Sequence, residues 1–209
     1  MQATTFEQII ESLGAGKVVP YLGCGVLKLV GNCPVPSSPE ALVAKLVAKS
    51  SVPHKLLKNL TGAAQFIENF KHRKTLATGM TEAFRVPVAP SSLHEFLADS
   101  MPPLMVHVWY DDAARRAFAG KSDWGCVQGV SQSEHFGEWT RWYDAAGEMS
   151  DASTGEAWST LLYEPIGSVS PATNYLVSDT DYVEFLTEID IQTPVPEKVK
   201  ALRRDRNFL

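Results

Sequence analysis

The chain has 209 residues, 44% of them hydrophobic, and a net charge of −5. That is enough apolar material for one substantial core, and the length is that of a single domain spanning 1–209. The acidic balance excludes sequence-independent binding along nucleic acid, which needs a broad basic surface to displace counterions.

In chain order, "TTFEQIIESLGAG" predicts a helix, with Thr4 and Glu7 in a capping pattern, Phe6, Ile9, Ile10 and Leu13 on one face, and Gly14 as its stop. "KVVPYL" reads as the first strand and runs into the Gly-Cys-Gly turn at 23–25. "SSPEALVAKLVAK" predicts a helix capped by Ser38 with Pro39 at its first position. "HKLLKNLTGAAQFIENFKHRK" is helical with a candidate break at Thr61-Gly62, and "SSLHEFLADS" is helical too. "LMVHVWY" and "WGCVQGV" read as strands flanking the helix "DDAARRAFAG". "GEWTRWYDAAG" reads as a short helix or ordered loop, with Trp139, Trp142 and Tyr143 at helical spacing. "STLLYEPIGS" and "NYLVS" are strands, and "DTDYVEFLTEI" and "PEKVKALRRDR" are helices. The basic residues Lys198, Lys200, Arg203, Arg204 and Arg206 of the last helix read as a solvated face.

Strands alternating with helices, with few hairpin turns, predict a Rossmann-like α/β fold. Its central, mostly parallel sheet should have about six strands, "KVVPYL", "LMVHVWY" and "NYLVS" among them, with helices on both faces. "NFL" at 207–209 resembles the start of another strand, so either the protein ends on a stub or the natural chain continues.

No apolar run approaches the ~18 residues of a membrane span. "MQATTFEQII" lacks the basic and apolar regions of a secretory signal. The three cysteines, Cys24, Cys33 and Cys126, include no CxxC pair, so the expected location is the cytoplasm, with reduced thiols.

The glycine turn supplies the first two glycines of a dinucleotide fingerprint, but Lys28 stands in place of the third, which disfavours a regular dehydrogenase motif. "GAGK" at 14–17 mimics the end of a phosphate loop, yet it precedes its strand instead of following it.

Six stretches in this order, "VVPYLGCGV", "GAAQFIENF", "SSLHEFLA", "LMVHVWYDDAARRAF", "LLYEPIGSV" and "SDTDYVEFL", resemble the SIR2-like domains, relatives of the sirtuins. The resemblance implies that Gly23, Cys24 and Gly25 hold the phosphates of NAD or ADP-ribose. It implies that Tyr110 and Asp111 end a strand motif whose asparagine position is Trp109. It further implies that Gly167 and Ser168 belong to a His-Gly-Ser stretch whose histidine position is Ile166. An indole offers one N–H and no acceptor, and isoleucine moves no proton, so deacylase and NADase chemistry is in doubt at both central positions. The zinc cysteines of classical sirtuins are absent as well.

The expected function is therefore a nucleotide-binding module with weak or no turnover, in a sensor or regulatory role. An NAD-consuming hydrolase using His107 or His135, or a catalytically dead interaction scaffold, are the alternatives. His94 is expected to pack beneath the cleft. Cys24 reads as a small residue of the turn, with a nucleophile as the sharper alternative. Glu134, His135 and Glu138 lack the second histidine a metal site would want. The Trp139–Tyr143 stretch is either a core stripe, an aromatic lid over a flat ligand, or a surface for a protein partner. No partner of nucleic acid or membrane is expected.

Overall fold

The computed structural model describes residues 2–189 and 194–209. Helix α1 (Gln2–Gly14) already runs at Gln2, so Thr4 is not its cap. Its stop lies two residues beyond Gly14. Lys17 N–H donates to Ser12 C=O and Gly16 N–H to Leu13 C=O, both at 2.9 Å, with Gly16 at φ +64°. That is the left-handed helix ending for which glycine is suited.

Pro20 divides the first strand into β1 (Val18–Val19) and β2 (Tyr21–Gly23), because it has no N–H to give the ladder. Helix α2 (Pro39–Val47) follows, its Ser38 side chain accepting from Ala41 N–H at 3.2 Å. Ser38→Ala should cost about 1 kcal/mol, a drop of roughly 2–4 °C in a chain of this size, measurable by thermal melting. Asn59 caps α3 (Leu60–Lys71) by accepting from Gly62 N–H at 3.0 Å. Thr61-Gly62 is therefore the first turn of a helix and not a break. The break falls at His72 (φ 70°), before α4 (Arg73–Phe84).

Helix α5 (Ser92–Asp99), strand β3 (Leu104–Val108), helix α6 (Ala113–Ala117) and strand β4 (Trp124–Gly129) come next. The stretch 140–144 is not a helix or loop but strand β5 (Thr140–Asp144), antiparallel to β4 and followed by β6 (Met149–Ser150). Its buried aromatics alternate: Tyr143 joins the core under α1 and α5, Trp142 the core on the other side. Helix α7 (Ala152–Gly155), β7 (Thr160–Glu164), β8 (Gly167–Ser168), β9 (Asn174–Tyr175), α8 (Asp179–Glu188), α9 (Glu197–Arg203) and β10 (Asn207–Phe208) complete the order.

The central sheet has six strands in the order β2-β3-β7-β4-β5-β6, parallel from β2 to β4 and antiparallel beyond. The prediction for "NYLVS" fails: β9 pairs only with β8, in a separate antiparallel ribbon. The "NFL" segment does form a strand, β10, parallel to β1.

Three apolar clusters organise the packing. Leu13, Leu97, Phe118 and Met105 pack α1, α5 and α6 on one face of the sheet. Val106, Leu161, Trp142 and Val199 pack α9 on the other. The third cluster, around Leu46, Ile67, Met80, Phe84 and Trp109, joins α2, α3 and α4 to the loop that leaves β3. Lys198 departs from the solvated-face reading, since it is buried and its Nζ donates to the carbonyls of Gly155 (2.6 Å), Glu156 (3.1 Å) and Trp158 (2.8 Å). No described helix is long and apolar enough to cross a membrane.

Candidate functional site

The carboxyl ends of β2 and β3 lie side by side, Gly23 in register with Val108. Parallel α/β sheets bind ligands at this edge. It brings the turn Gly23, Cys24, Gly25 next to Trp109. Some glycines of the protein are fixed by its packing, whereas others, Gly14, Gly25 and Gly31 among them, have open space where a Cβ would stand. A Cβ at Gly167 (φ +76°) would meet Asn174 O at 2.1 Å, one at Gly129 would meet Pro165 O at 2.1 Å, and one at Gly125 would strike Trp158 at 2.1 Å. The protein's own packing demands those glycines. At Gly25 an added Cβ meets nothing within 4 Å, and at Gly23 only Val108 Cγ2 at 3.9 Å, an ordinary contact. Neither has a positive φ. Nothing inside the chain requires glycine at Gly25, which is exposed.

The remaining candidates serve the interior. Trp109 is buried, its Nε1–H donating to Pro36 O at 2.8 Å and its ring edge-on to Phe84 at 5.9 Å. Ile166 packs against the same cluster. Tyr110 is fully buried with its hydroxyl donating to Leu176 O at 2.7 Å. Asp111 Oδ1 accepts from Ala113 N–H at 2.9 Å, and Ser168 Oγ donates to Asp111 O at 3.1 Å. These bonds tie the loop after β3 to β8, so Tyr110, Asp111, Gly167 and Ser168 build the wall of the edge and do not present polar atoms from it. Cys24 packs against the Trp109 cluster, and burial raises its thiol pKa, which disfavours a nucleophilic thiolate. The three cysteines are free.

Beneath this edge lies a polar row that pattern reading did not assemble. His107, one residue before the end of β3, is 2% exposed. Its Nε2 is 3.3 Å from Asp111 Oδ2 and its Nδ1 is 3.7 Å from Glu164 Oε1 at the end of β7. Gln128 of β4, in register with Glu164, donates Nε2–H to Glu164 Oε2 at 2.8 Å and to Ser170 O at 2.7 Å. Asn174 Nδ2–H then donates to Gln128 Oε1 at 2.9 Å and to the Tyr143 hydroxyl at 3.2 Å. Burial alone would lower the His107 pKa, but Asp111 and Glu164 beside it push it up to about 10. Burial likewise opposes the Asp111 charge, yet the His107 cation holds that carboxyl below its usual value. The row is a buried salt link in which the carboxylates beside His107 favour its charged form. His94 is structural as expected: its Nδ1 faces Ser91 in the cap of α5, and burial lowers its pKa.

Glu134, His135 and Glu138 are each held by an arginine. Glu134 pairs with Arg73 at 3.1 Å, while Arg141 contacts both His135 (3.0 Å) and Glu138 (2.8 Å). No group of three or more metal-ligating side chains occurs among the described residues. Trp142 and Tyr143 are buried, and Trp139 packs edge-on to Phe185 at 6.4 Å. Residues 140–143 are part of the sheet, and Trp139, Thr140, Arg141 and Trp142 line an open groove of about 420 Å³ with Met149 and Pro196.

A mostly parallel sheet covered by helices on both faces, with a glycine turn at its carboxyl edge, is a Rossmann-like α/β architecture. The chain belongs to the SIR2-like domain family, whose model matches residues 103–209, just over half of its length. The glycine turn lies outside the matched segment. No curated protein matches the chain.

Proposed function

We propose that the protein is a SIR2-like nucleotide-binding module that holds ADP-ribose or NAD with weak or no deacylase or NADase turnover, in a sensor or regulatory role. The observation that carries this reading is Gly25. It is a glycine with ordinary backbone angles and open space where its side chain would be, which suits close approach of a pyrophosphate to the main chain. The family generally uses NAD, so the fit of that group can be argued in two halves. The phosphate end fits the Gly23–Gly25 turn. The nicotinamide end fits poorly, because the family's asparagine and histidine positions are Trp109 and Ile166. Both are packed into one apolar cluster, and the indole is held by Pro36. ADP-ribose should therefore bind at least as tightly as NAD.

Catalysis by an altered residue set finds little support. His107 is sealed between two carboxylates and His135 is held by Arg141. The purified protein is expected to show no NAD-dependent deacylation, and robust turnover would overturn the residue carry-over at Trp109 and Ile166. Calorimetry with NAD, ADP-ribose and ATP tests binding itself. Absence of heat at millimolar ligand would sink the nucleotide reading and leave an interaction scaffold in its place.

A further inference from the structure

A groove of about 850 Å³ runs between α2, α3 and α4, away from the glycine turn. Its charged lining is Lys45 from α2, Lys49 just beyond it, Lys71 from α3, Lys74 from α4, Arg85 at the end of α4, and one acid, Glu82. Lys49 pairs with Glu82. Among the described residues no ion pair reaches Lys45, Lys71, Lys74 or Arg85. Five cations against one acid leave four positive charges here, in a chain whose net charge is −5. The rest of the chain therefore carries an excess of nine negative charges.

One of these cations stands against what helix stability favours, whereas Lys45 and Lys71 sit in the last turns of α2 and α3 and Arg85 follows the end of α4, where a helix favours a cation. The N-terminal end of a helix is its positive pole and is stabilised by acids. The first turn of α4 has no acid and no side-chain cap, and carries Arg73 and Lys74 instead, two residues after Lys71. Arg73 is neutralised by Asp181, Glu134 and Glu68; Lys74 is not. Lys74 is thus the one groove cation placed where its helix is penalised for it.

The surroundings narrow the ligand. The apolar floor, Leu46, Ile67 and Leu76, is at most 4% exposed, so it offers no anchor to an amphipathic peptide. No phenylalanine, tyrosine or tryptophan lines the groove, and a single imidazole, His72, is a poor platform for stacking successive nucleic acid bases. A long polyanion or an anionic membrane would also meet the negative excess outside it. Lys74 and Arg85 stand about 16 Å apart along α4 at 1.5 Å per residue, a spread that suits several linked charges better than one. We propose that this groove binds a short oligophosphate chain, either inorganic or the tail of a nucleoside polyphosphate.

The test is calorimetry on the full chain at low salt with inorganic tripolyphosphate, orthophosphate and ATP. Tripolyphosphate should bind roughly tenfold or more tighter than orthophosphate, and Lys45→Glu/Lys74→Glu should weaken it by roughly tenfold or more. A glutamate at position 74 suits the start of α4 while one at position 45 opposes the end of α2 by a similar amount, so the melting temperature of this variant should stay close to that of the wild type, which separates lost binding from lost folding. Gly25→Val and the α9 charge reversal Arg203→Glu/Arg204→Glu should leave tripolyphosphate affinity unchanged. ATP weakened together with tripolyphosphate is held here by its phosphates, whereas ATP weakened only by Gly25→Val leaves the inorganic chain as the ligand of the groove. No heat with tripolyphosphate, or no loss in the groove variant, overturns the proposal. So does equal loss on reversing α9, or loss of tripolyphosphate through Gly25→Val, and neither outcome bears on whether the glycine turn holds ADP-ribose.

Discussion

His107→Ala should destabilise the protein by about 3–5 kcal/mol, the usual cost of removing one member of a buried ion pair. The substitution removes the cation between Asp111 and Glu164, both at most 1% exposed, and leaves two carboxylates facing each other away from water. The wild-type dependence on pH follows from the raised imidazole pKa. It is about 10 in the folded protein against about 6.5 unfolded, so the folded state binds the proton more tightly. The contribution is complete below pH ~6.5 and is lost as the pH rises toward 10. On the acid side Asp111, depressed in the folded state, contributes stability present above its ordinary value near 4 and lost as the pH falls through its folded value. Chemical denaturation at several pH values would measure both profiles. The gap between wild type and His107→Ala should be widest between those limits and shrink toward pH 10. A gap that stays constant across the range would mean that His107 is not charged in the fold.

The salt link also explains how this edge of the sheet is held. Asp111 anchors the loop carrying Trp109 and Tyr110, while Glu164 and Gln128 anchor the segment carrying Ile166 and Ser168. His107 between these two carboxylates therefore locks both segments at the edge of the sheet.

Much of the fold was legible because its signals are local. Ser38 before Pro39, the apolar run "LMVHV" and the alternation of strands with helices each specify structure within a few residues. The sequence of strand β5 mimics a helix because Trp139, Trp142 and Tyr143 satisfy a helical spacing, while Trp142 and Tyr143 also alternate faces in a strand. Its antiparallel pairing with β4, which decides the matter, is a tertiary fact. The same holds for "NYLVS", which is apolar enough for a central strand but diverted into pairing with Gly167–Ser168. The turn Gly23–Gly25 could be found from sequence, as could the substitutions at Trp109 and Ile166. The polar row could be found only in part. Gln128 in "WGCVQGV" and Glu164 in "TLLYE" are lone polar residues in apolar strands, a pattern that asks for a buried partner. Their register with His107 is set by the order β3-β7-β4, which no short motif encodes.

Gly25→Val should leave stability nearly unchanged and weaken ADP-ribose binding by roughly tenfold or more, about 1.4 kcal/mol. The two halves of this expectation come from one measurement of space. A Cβ at Gly25 has no neighbour within 4 Å, and its φ is not in the left-handed region, so the fold can accept a side chain. The branched carbons of valine would then stand where a pyrophosphate must come close to the main chain. Gly167→Ala is the opposite control: its Cβ would meet Asn174 O at 2.1 Å at a φ of +76°, so it should lower the melting temperature whatever it does to binding. Calorimetry gives the affinities, and thermal melting gives the stabilities of the three proteins. If Gly25→Val binds ADP-ribose as well as wild type while remaining folded, the turn is not a phosphate cradle. The glycine would then be without a reason inside the chain or outside it. If instead the variant unfolds, the open space beside Gly25 is filled by something the fold needs, and the nucleotide reading loses the observation that carries it.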